Sequence, residues 1–300
     1  MEGLILVDKP PGWSSHDVVA RLRNVLAEER VGHFGTLDPL ATGLLLVAVG
    51  RATRLFPYFS RTDKSYRGRI RLGYATDTYD AQGRALAAES HDLPDQERLR
   101  AALAALTGEF YQTPPPFSAK KIGGKPSYAL ARRQKAIPLQ PEQVTVHFFI
   151  LDNYDPPCFD FRAGCSAGTY VRSLAHDLGA ALGCGAHLQS LCRLSSGEFS
   201  LEQALALEEI ESLAKQGEIF RFLRPMESLL PDFPKLILSE SGCRLIKNGR
   251  RISAQDLEST PSWPSPTLQI FRLFGPDGRL KGLARPEPDG QSLHPFLVMV

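Results

Sequence analysis

Hydrophobic and polar positions along the chain follow two periods, and each period predicts its own kind of element. Residues 3–7, GLILV, form a short apolar run closed by Pro10, Pro11 and Gly12, which predicts a buried strand. Ser15 precedes Val18, Val19, Leu22 and Val25, which share one helical face, so a helix capped by Ser15 is expected. In YRGRIRLG, residues 66–73, Tyr66, Ile70 and Leu72 stand against Arg67, Arg69 and Arg71, the pattern of a strand with one basic face. Leu99, Leu103 and Leu106 predict a helix over 95–107, and VTVHFFIL, residues 144–151, a strand. From Ser166 the chain reads as a turn, a helix, a glycine-rich break and a strand, followed by helical pieces over 201–223. The proline-punctuated LRPMESLLPDFPKL marks a domain boundary, placed between residues 231 and 232. Beyond it come a short helix, an Asn-Gly turn and a hairpin turning at Gly275–Gly278.

Composition bounds the class without naming it. A chain of 300 residues has room for one large domain, or one large and one small. Its 43% hydrophobic and 23% charged residues are ordinary for a globular protein. A net charge of +2 does not announce a nucleic-acid partner, so the distribution of charge has to decide. That distribution is uneven. From Phe110 to Pro141 there is no Asp or Glu, while Lys120, Lys121, Lys125, Arg132, Arg133 and Lys135 fall inside. Five cysteines, an odd number with no C-x-x-C pair, argue against a zinc site and for reduced thiols. No basic leader and no run of eighteen apolar residues occur, so a cytoplasmic protein without membrane attachment is expected. The glycines match neither a P-loop nor a dinucleotide fingerprint, which ranks a small-molecule phosphate enzyme last.

One carboxylate stands out. In VGHFGTLDPLATGLLLVAVG, Asp38 is the lone acid among glycines and apolar residues. Read locally, it is an N-cap with Pro39 in the first turn of a short helix. Gly32 and Gly35 also permit a close-approaching backbone, and His33 and Thr36 add polar groups, which suits an active-site floor. The residues alone leave both readings open.

The order of motifs resembles the bacterial tRNA pseudouridine synthase B (TruB) family. VDKPPGWSSHDVV, GHFGTLDPLATGLL, GRATRL, KSYRGRIRLGYATDTYDAQG, PPPFSAKKIGGKPSYALAR, CSAGTYVRSLAHDLG and GCGAHLQSLCRL follow in family order and cover most of residues 3–200. The chain departs from the family pattern at Phe34, where many relatives carry Thr, and in LLLVAVG, where a Pro is common.

The resemblance implies an α+β fold. A mixed, largely antiparallel sheet with flanking helices would form a catalytic domain over 1–231, and a small β-rich PUA-like domain would span 232–300. It implies isomerisation of uridine 55 in the tRNA T-loop, with no cofactor and no metal. Asp38 becomes the catalytic carboxylate, paired with Arg172, whose own pattern equally fits a surface arginine on a helix. Tyr66 lies against the target base, although a core strand aromatic reads the same way. Tyr170 and Leu191 line the pocket, the latter on alignment alone. His33 fills the gap left by the everted base, or is a buried structural histidine. Lys120, Lys121, Lys125, Arg132 and Arg133 make residues 110–141 a loop that grips the T-arm, with Lys9, Lys64, Arg67 and Arg69 extending the track. A monomer without an obligatory protein partner is expected. The rivals are a guide-RNA-dependent synthase and a tRNA-binding protein with an idle pocket.

Overall fold

The computed structural model describes residues 1–117, 121–122, 125–126, 139–258, 270–288 and 290–300. Lys120, Arg132 and Arg133 lie outside the described residues, as do the side chains of Lys121 and Lys125. Two compact units form: Ile5–Phe222, and Leu223–Val300 together with Glu2–Leu4.

In the first unit the chain runs β1 (Gly3–Lys9), α1 (Ser15–Leu26), β2 (Val31–His33), β3 (Thr42–Val49), α2 (Phe56–Phe59), β4 (Lys64–Leu72), α3 (Gln96–Ala105) and β5 (Gly108–Gln112). The short antiparallel pair β6 (Lys121–Ile122) and β7 (Lys125–Pro126) follows. Then come β8 (Glu142–Asp155), β9 (Cys158–Cys165), α4 (Val171–Leu182), β10 (Ala186–Ser196), β11 (Phe199–Ser200), β12 (Leu205–Ala206) and α5 (Leu207–Lys215). The sheet has the order β12-β1-β3-β10-β4-β9-β8-β5. β1 pairs with β12 and β3 with β10 in parallel, while β10, β4, β9, β8 and β5 pair antiparallel in turn. This is the mixed, largely antiparallel sheet expected, with α3 packed on β8 and α4 on β10.

The centre of the sheet explains itself. From Leu44 to Val49 every side chain of β3 is fully buried, the continuous apolar run of a strand covered on both faces. β4 and β10 are instead mixed: Ile70 and Leu72 point inward, and arginines occupy the alternate positions. Two register shifts interrupt the β10–β4 ladder, one between Leu188 and Ser190, the other between Arg193 and Ser195. Such bulges re-aim side chains, and here they bracket Leu191 and Arg193.

The cap of α1 is Ser14, not Ser15. Ser14 accepts from the Asp17 amide while Asp17 reaches back to the Ser14 amide, a complete capping box. Ser15 is thereby freed for another contact, described below.

The second unit carries β13 (Leu223–Pro225), β14 (Lys235–Ile237), α6 (Glu240–Lys247), β15 (Ile252–Ser253), β16 (Phe271–Phe274), β17 (Leu280–Pro286) and β18 (Ser292–Val298). Its sheet has the order β14-β16-β17-β18-β15. The core gathers Leu236, Leu238, Ile246, Ile252, Phe271, Leu273 and Leu293. The unit begins at Leu223, before the expected break at 231/232. Arg272 on β16 gives the reason. Its guanidinium donates to the carbonyls of Phe233 (2.8 Å) and Leu229 (3.1 Å), tying the proline-rich stretch to this sheet.

Candidate active site

The segment from Phe34 to Ala41 is irregular, and distant parts of the chain pin it residue by residue. Phe34 is buried, its ring stacked on Phe59 at 5.3 Å and its amide bonded to the Leu46 carbonyl. An apolar ring thus anchors the loop. Gly35 has φ +94°, a left-handed conformation that glycine adopts without strain. Ser15 Oγ bonds both the amide (2.8 Å) and the carbonyl (3.0 Å) of Leu37. The Gly12 amide takes the Pro39 carbonyl, and the Ala41 amide takes that of Asp38. Asp38 therefore opens a tight turn, and no helix follows it.

Arg172 holds the Asp38 carboxylate. Its Nη2 donates to Oδ1 at 3.1 Å, and its Nε lies 2.8 Å from Oδ2 in a close charge contact outside hydrogen-bond alignment. The guanidinium also donates to the carbonyls of Thr78 (3.1 Å) and Phe117 (3.0 Å), and Asp80 Oδ2 stands 3.8 Å from Nη1. Arg172 is 6% exposed at the side chain, while Asp38 keeps 37% open to a cleft. Arg172 occupies the first turn of α4. That turn is fixed by Gln112, whose side-chain amide bonds both the amide and the carbonyl of Tyr170.

The cleft has a volume of about 240 Å³ and includes Asp38, Tyr66, Tyr170, Arg172, Leu191 and Arg193 in its walls. Five of these six were expected at the site from sequence. Tyr66 is buried on β4 with its phenol pushed up to about 12 by burial, so it stays protonated at neutral pH. Burial pushes the Asp38 carboxyl above its ordinary value, and the Arg172 charge pulls against that shift. A carboxylate that is costly to ionise and half-turned to an open cleft is primed to act on something that enters.

His33 ends β2 beside this loop, half-buried and outside the walls of the cleft, with its basicity lowered by burial. Lys9 and Lys64 need correction as surface cations. Lys9 is fully buried, and its ammonium donates to the carbonyls of Pro10 (2.9 Å) and Trp13 (2.6 Å). Lys64 is buried at the edge of the cleft, and its ammonium donates to the carbonyls of Ser60 and Thr62. Desolvation lowers both to about 8. Neither belongs to an exposed phosphate track, because both head groups are spent on backbone. Arg69 is likewise engaged, 3.1 Å from Asp160.

Sequence reasoning passed over Asp80, Gln112 and Arg193. Asp80 is buried and fastened by Thr78 Oγ1 (2.6 Å) and the Gln82 amide (3.0 Å). Its signal was the Thr–Asp alternation of TDTYDAQG ending in glycine, which also reads as a plain turn. Gln112 and Arg193 carried no local signal at all. Among the described residues no helix is long and apolar enough to cross a membrane, and no three His, Cys, Asp or Glu gather as a metal site. The cysteines are free.

Comparison with known proteins identifies the family. The model of the TruB family pseudouridylate synthase N-terminal domain matches residues 23–171, and that of the tRNA pseudouridylate synthase B C-terminal domain matches 172–231. The chain is 46% identical to tRNA pseudouridine synthase B of Solibacter usitatus, over 87% of this chain and 89% of that protein. It is 42% identical to the protein of the same name from Thermobifida fusca, over 94% of each. Among solved structures, a Cbf5–Nop10–Gar1 complex matches with a TM-score of 0.72 at 24% identity, over 99% of this chain and 84% of that one. An H/ACA RNP bound to a substrate RNA containing 2′-deoxyuridine matches with a TM-score of 0.71 at 23% identity, over 99% and 85%. The shared fold, the family matches and the extent of identity lead to one conclusion: the chain belongs to the TruB family of pseudouridylate synthases.

Proposed function

We propose that this chain converts uridine 55 in the T-loop of tRNA to pseudouridine, with Asp38 as the carboxylate that acts at the ribose. The observation that supports this most is the Asp38–Arg172 pair, with one side of the carboxylate facing the cleft. The fork of Arg172 fixes the orientation of the carboxylate and favours its charged form. Both routes at the sugar, attack on C1′ or removal of the C2′ proton, need that charge. The cleft is smaller than the about 300–1,000 Å³ of sites for drug-sized ligands. That size suits one everted nucleotide and not a length of RNA.

Extruding a base costs about a few kcal/mol. Leu191 offers the base an apolar wall, Tyr66 lies against the base, Tyr170 closes the cleft, and His33 stands by to fill the vacated stack. The cations of 110–141, Lys120, Lys121, Lys125, Arg132 and Arg133, supply phosphate contacts on the T-arm. The β-rich second unit is read as a PUA-type RNA-binding module. The chain acts as a monomer, without guide RNA, protein partner or cofactor.

The test is to incubate unmodified tRNA with the purified chain alone and map the modified positions. Pseudouridine at 55 only is expected, and dependence on an added guide RNA or protein would overturn the stand-alone reading. Asp38→Asn should abolish product while tRNA binding stays within about tenfold, because phosphate contacts dominate affinity. Turnover above a hundredth of normal would remove Asp38 from its role. Replacing Lys120, Lys121 and Lys125 with Ala should flatten the salt dependence of binding by up to about three units of slope.

A further inference from the structure

Arg193 is a fully buried cation that no acid among the described residues pairs with. It is 1% exposed. Its Nε donates to the Leu44 carbonyl at 2.7 Å and its Nη2 to the Gly35 carbonyl at 3.2 Å. Among the described residues no carboxylate forms an ion pair with it, whereas Arg172 in the same cleft meets both Asp38 and Asp80. The neighbouring Lys64 adds a second charge without an acid, its ammonium held by carbonyls. Burying a cation without a counter-charge is strongly unfavourable. A family of core packings would replace it with Leu or Met unless the charge had a use.

The use is legible in the register. Arg193 on β10 stands directly opposite Tyr66 on β4, a pairing that puts two side chains on one face within reach of each other. Both residues line the cleft beside Asp38, and the Arg193 charge lies near enough to act on the Tyr66 phenol. A guanidinium can only donate. Toward Arg193 the phenol oxygen can therefore only accept, which leaves the phenolic hydrogen to point elsewhere. The bulge between Arg193 and Ser195 sets that aim.

We propose that Arg193 is a positioning residue for Tyr66. It occupies the acceptor side of the phenol oxygen, so that the O–H donates into the cleft, onto the pyrimidine oxygen that gains negative charge as the glycosidic bond breaks. The inference rests on the function proposed above. In that reaction the N1–C1′ bond breaks and its electron pair leaves on the pyrimidine. After rotation C5 bonds to C1′ as the Asp38–C1′ bond breaks or, on the other route, as C2′ takes its proton back from Asp38; the C5 proton then passes to water and N1 takes one from water. Arg193 and Tyr66 neither gain nor lose a proton. They lower the energy of the detached, anionic base with a preorganised donor that is strengthened by the charge behind it. A direct grip on an RNA phosphate is disfavoured because so little of Arg193 is accessible.

The test compares two tRNAs, one with uridine and one with 5-fluorouridine at the target. Fluorine makes the departing pyrimidine a better anion, so less help is needed. Single-turnover cleavage of the N-glycoside is measured for the wild type, Arg193→Met and Arg193→Lys. Arg193→Met is expected to lose on the order of 10²–10³-fold with uridine, to lose at least several-fold less with fluorouridine, and to bind tRNA as the wild type does. Arg193→Lys, which keeps charge and donor, should recover most of the rate. Equal losses on both tRNAs would overturn the inference, as would a defect confined to affinity with a shallower salt slope, the mark of a phosphate contact. Should Arg193→Met fail to fold, Tyr66→Phe carries the test, since it leaves the bonds of Arg193 to Leu44 and Gly35 in place. It should show the same narrowing between the two tRNAs, and no narrowing would be equally fatal. A wild type inactive on both tRNAs overturns the proposed function and this inference with it. A normal wild type with equal losses overturns this inference alone.

Discussion

The two units treat buried charge in opposite ways. In the second, the buried acid Asp256 serves only its own turn, accepting from the amide (2.9 Å) and hydroxyl (2.7 Å) of Ser253. Its core is otherwise aliphatic and aromatic. In the first unit, Lys9, Lys64, Asp80, Arg172 and Arg193 are all buried. Arg172 and Asp38 meet across 134 residues of sequence. A local cap stabilises the segment that contains it. A long-range cluster of buried charge does little for stability that well-packed apolar residues would not do better. The comparison teaches where to look for chemistry: at buried charge assembled from distant segments.

The sharpest way to break that contrast is Arg172→Met. It strips two carboxylates of their partner, so activity should fall by more than about a thousandfold, in line with removing a group that organises a reacting centre. Unfolding should become easier by roughly 3 kcal/mol, the low end for a broken buried pair because Asp38 is 37% exposed. Single-turnover rates and chemical denaturation measure the two effects, and near-normal activity would make the cluster merely structural.

Leu273→Ala tests the other side. This residue is fully buried in the second core, so a loss of about 2–5 kcal/mol from unfolding of that unit is expected. The single-turnover rate with saturating tRNA should stay within about threefold. A large drop in rate would show the second unit taking part in the chemical step.

A pH series separates activity from stability at one residue. Asp38 is raised by burial, so the single-turnover rate should fall about tenfold per pH unit below a midpoint above the ordinary value of about 3.9. Stability should move the other way. Between the ordinary and the raised value the folded state holds a proton that the unfolded chain has released, so unfolding becomes easier as pH rises through that window. An acid limb centred at or below about 4 would show that Arg172 outweighs desolvation. The smallest effect belongs to the second unit: Asp256→Ala should cost about 1 kcal/mol, the usual worth of a cap, with no change in rate.

Much of the fold was legible in the sequence because it is local. The apolar run of β3, the alternation of β4, the hairpin at Gly275–Gly278 and the helices near 96–105 and 171–182 follow from periodicity and turn chemistry. The site was partly legible. Asp38, Tyr66 and Arg172 were expected together through resemblance, and the structure brings them into one cleft. Lys9 and Lys64 misled, because a lysine looks the same in sequence whether its ammonium meets water or a carbonyl. Ser15 looked like a cap and is a clamp on Leu37, since Ser14 had already taken the cap.

Taken alone, the sequence determined the element types, the acid-free basic stretch and the family. Each depends on residues near one another in the chain, or on motif order. Only the tertiary structure decided which charges are desolvated, which meet an opposite charge and which stand without one. Burial and charge pairing are set by strand order and by bulges that join segments more than a hundred residues apart. The physical reason is that the free energy of a charge depends on what surrounds it in space, and the neighbours of Arg193 and Asp38 come from distant strands.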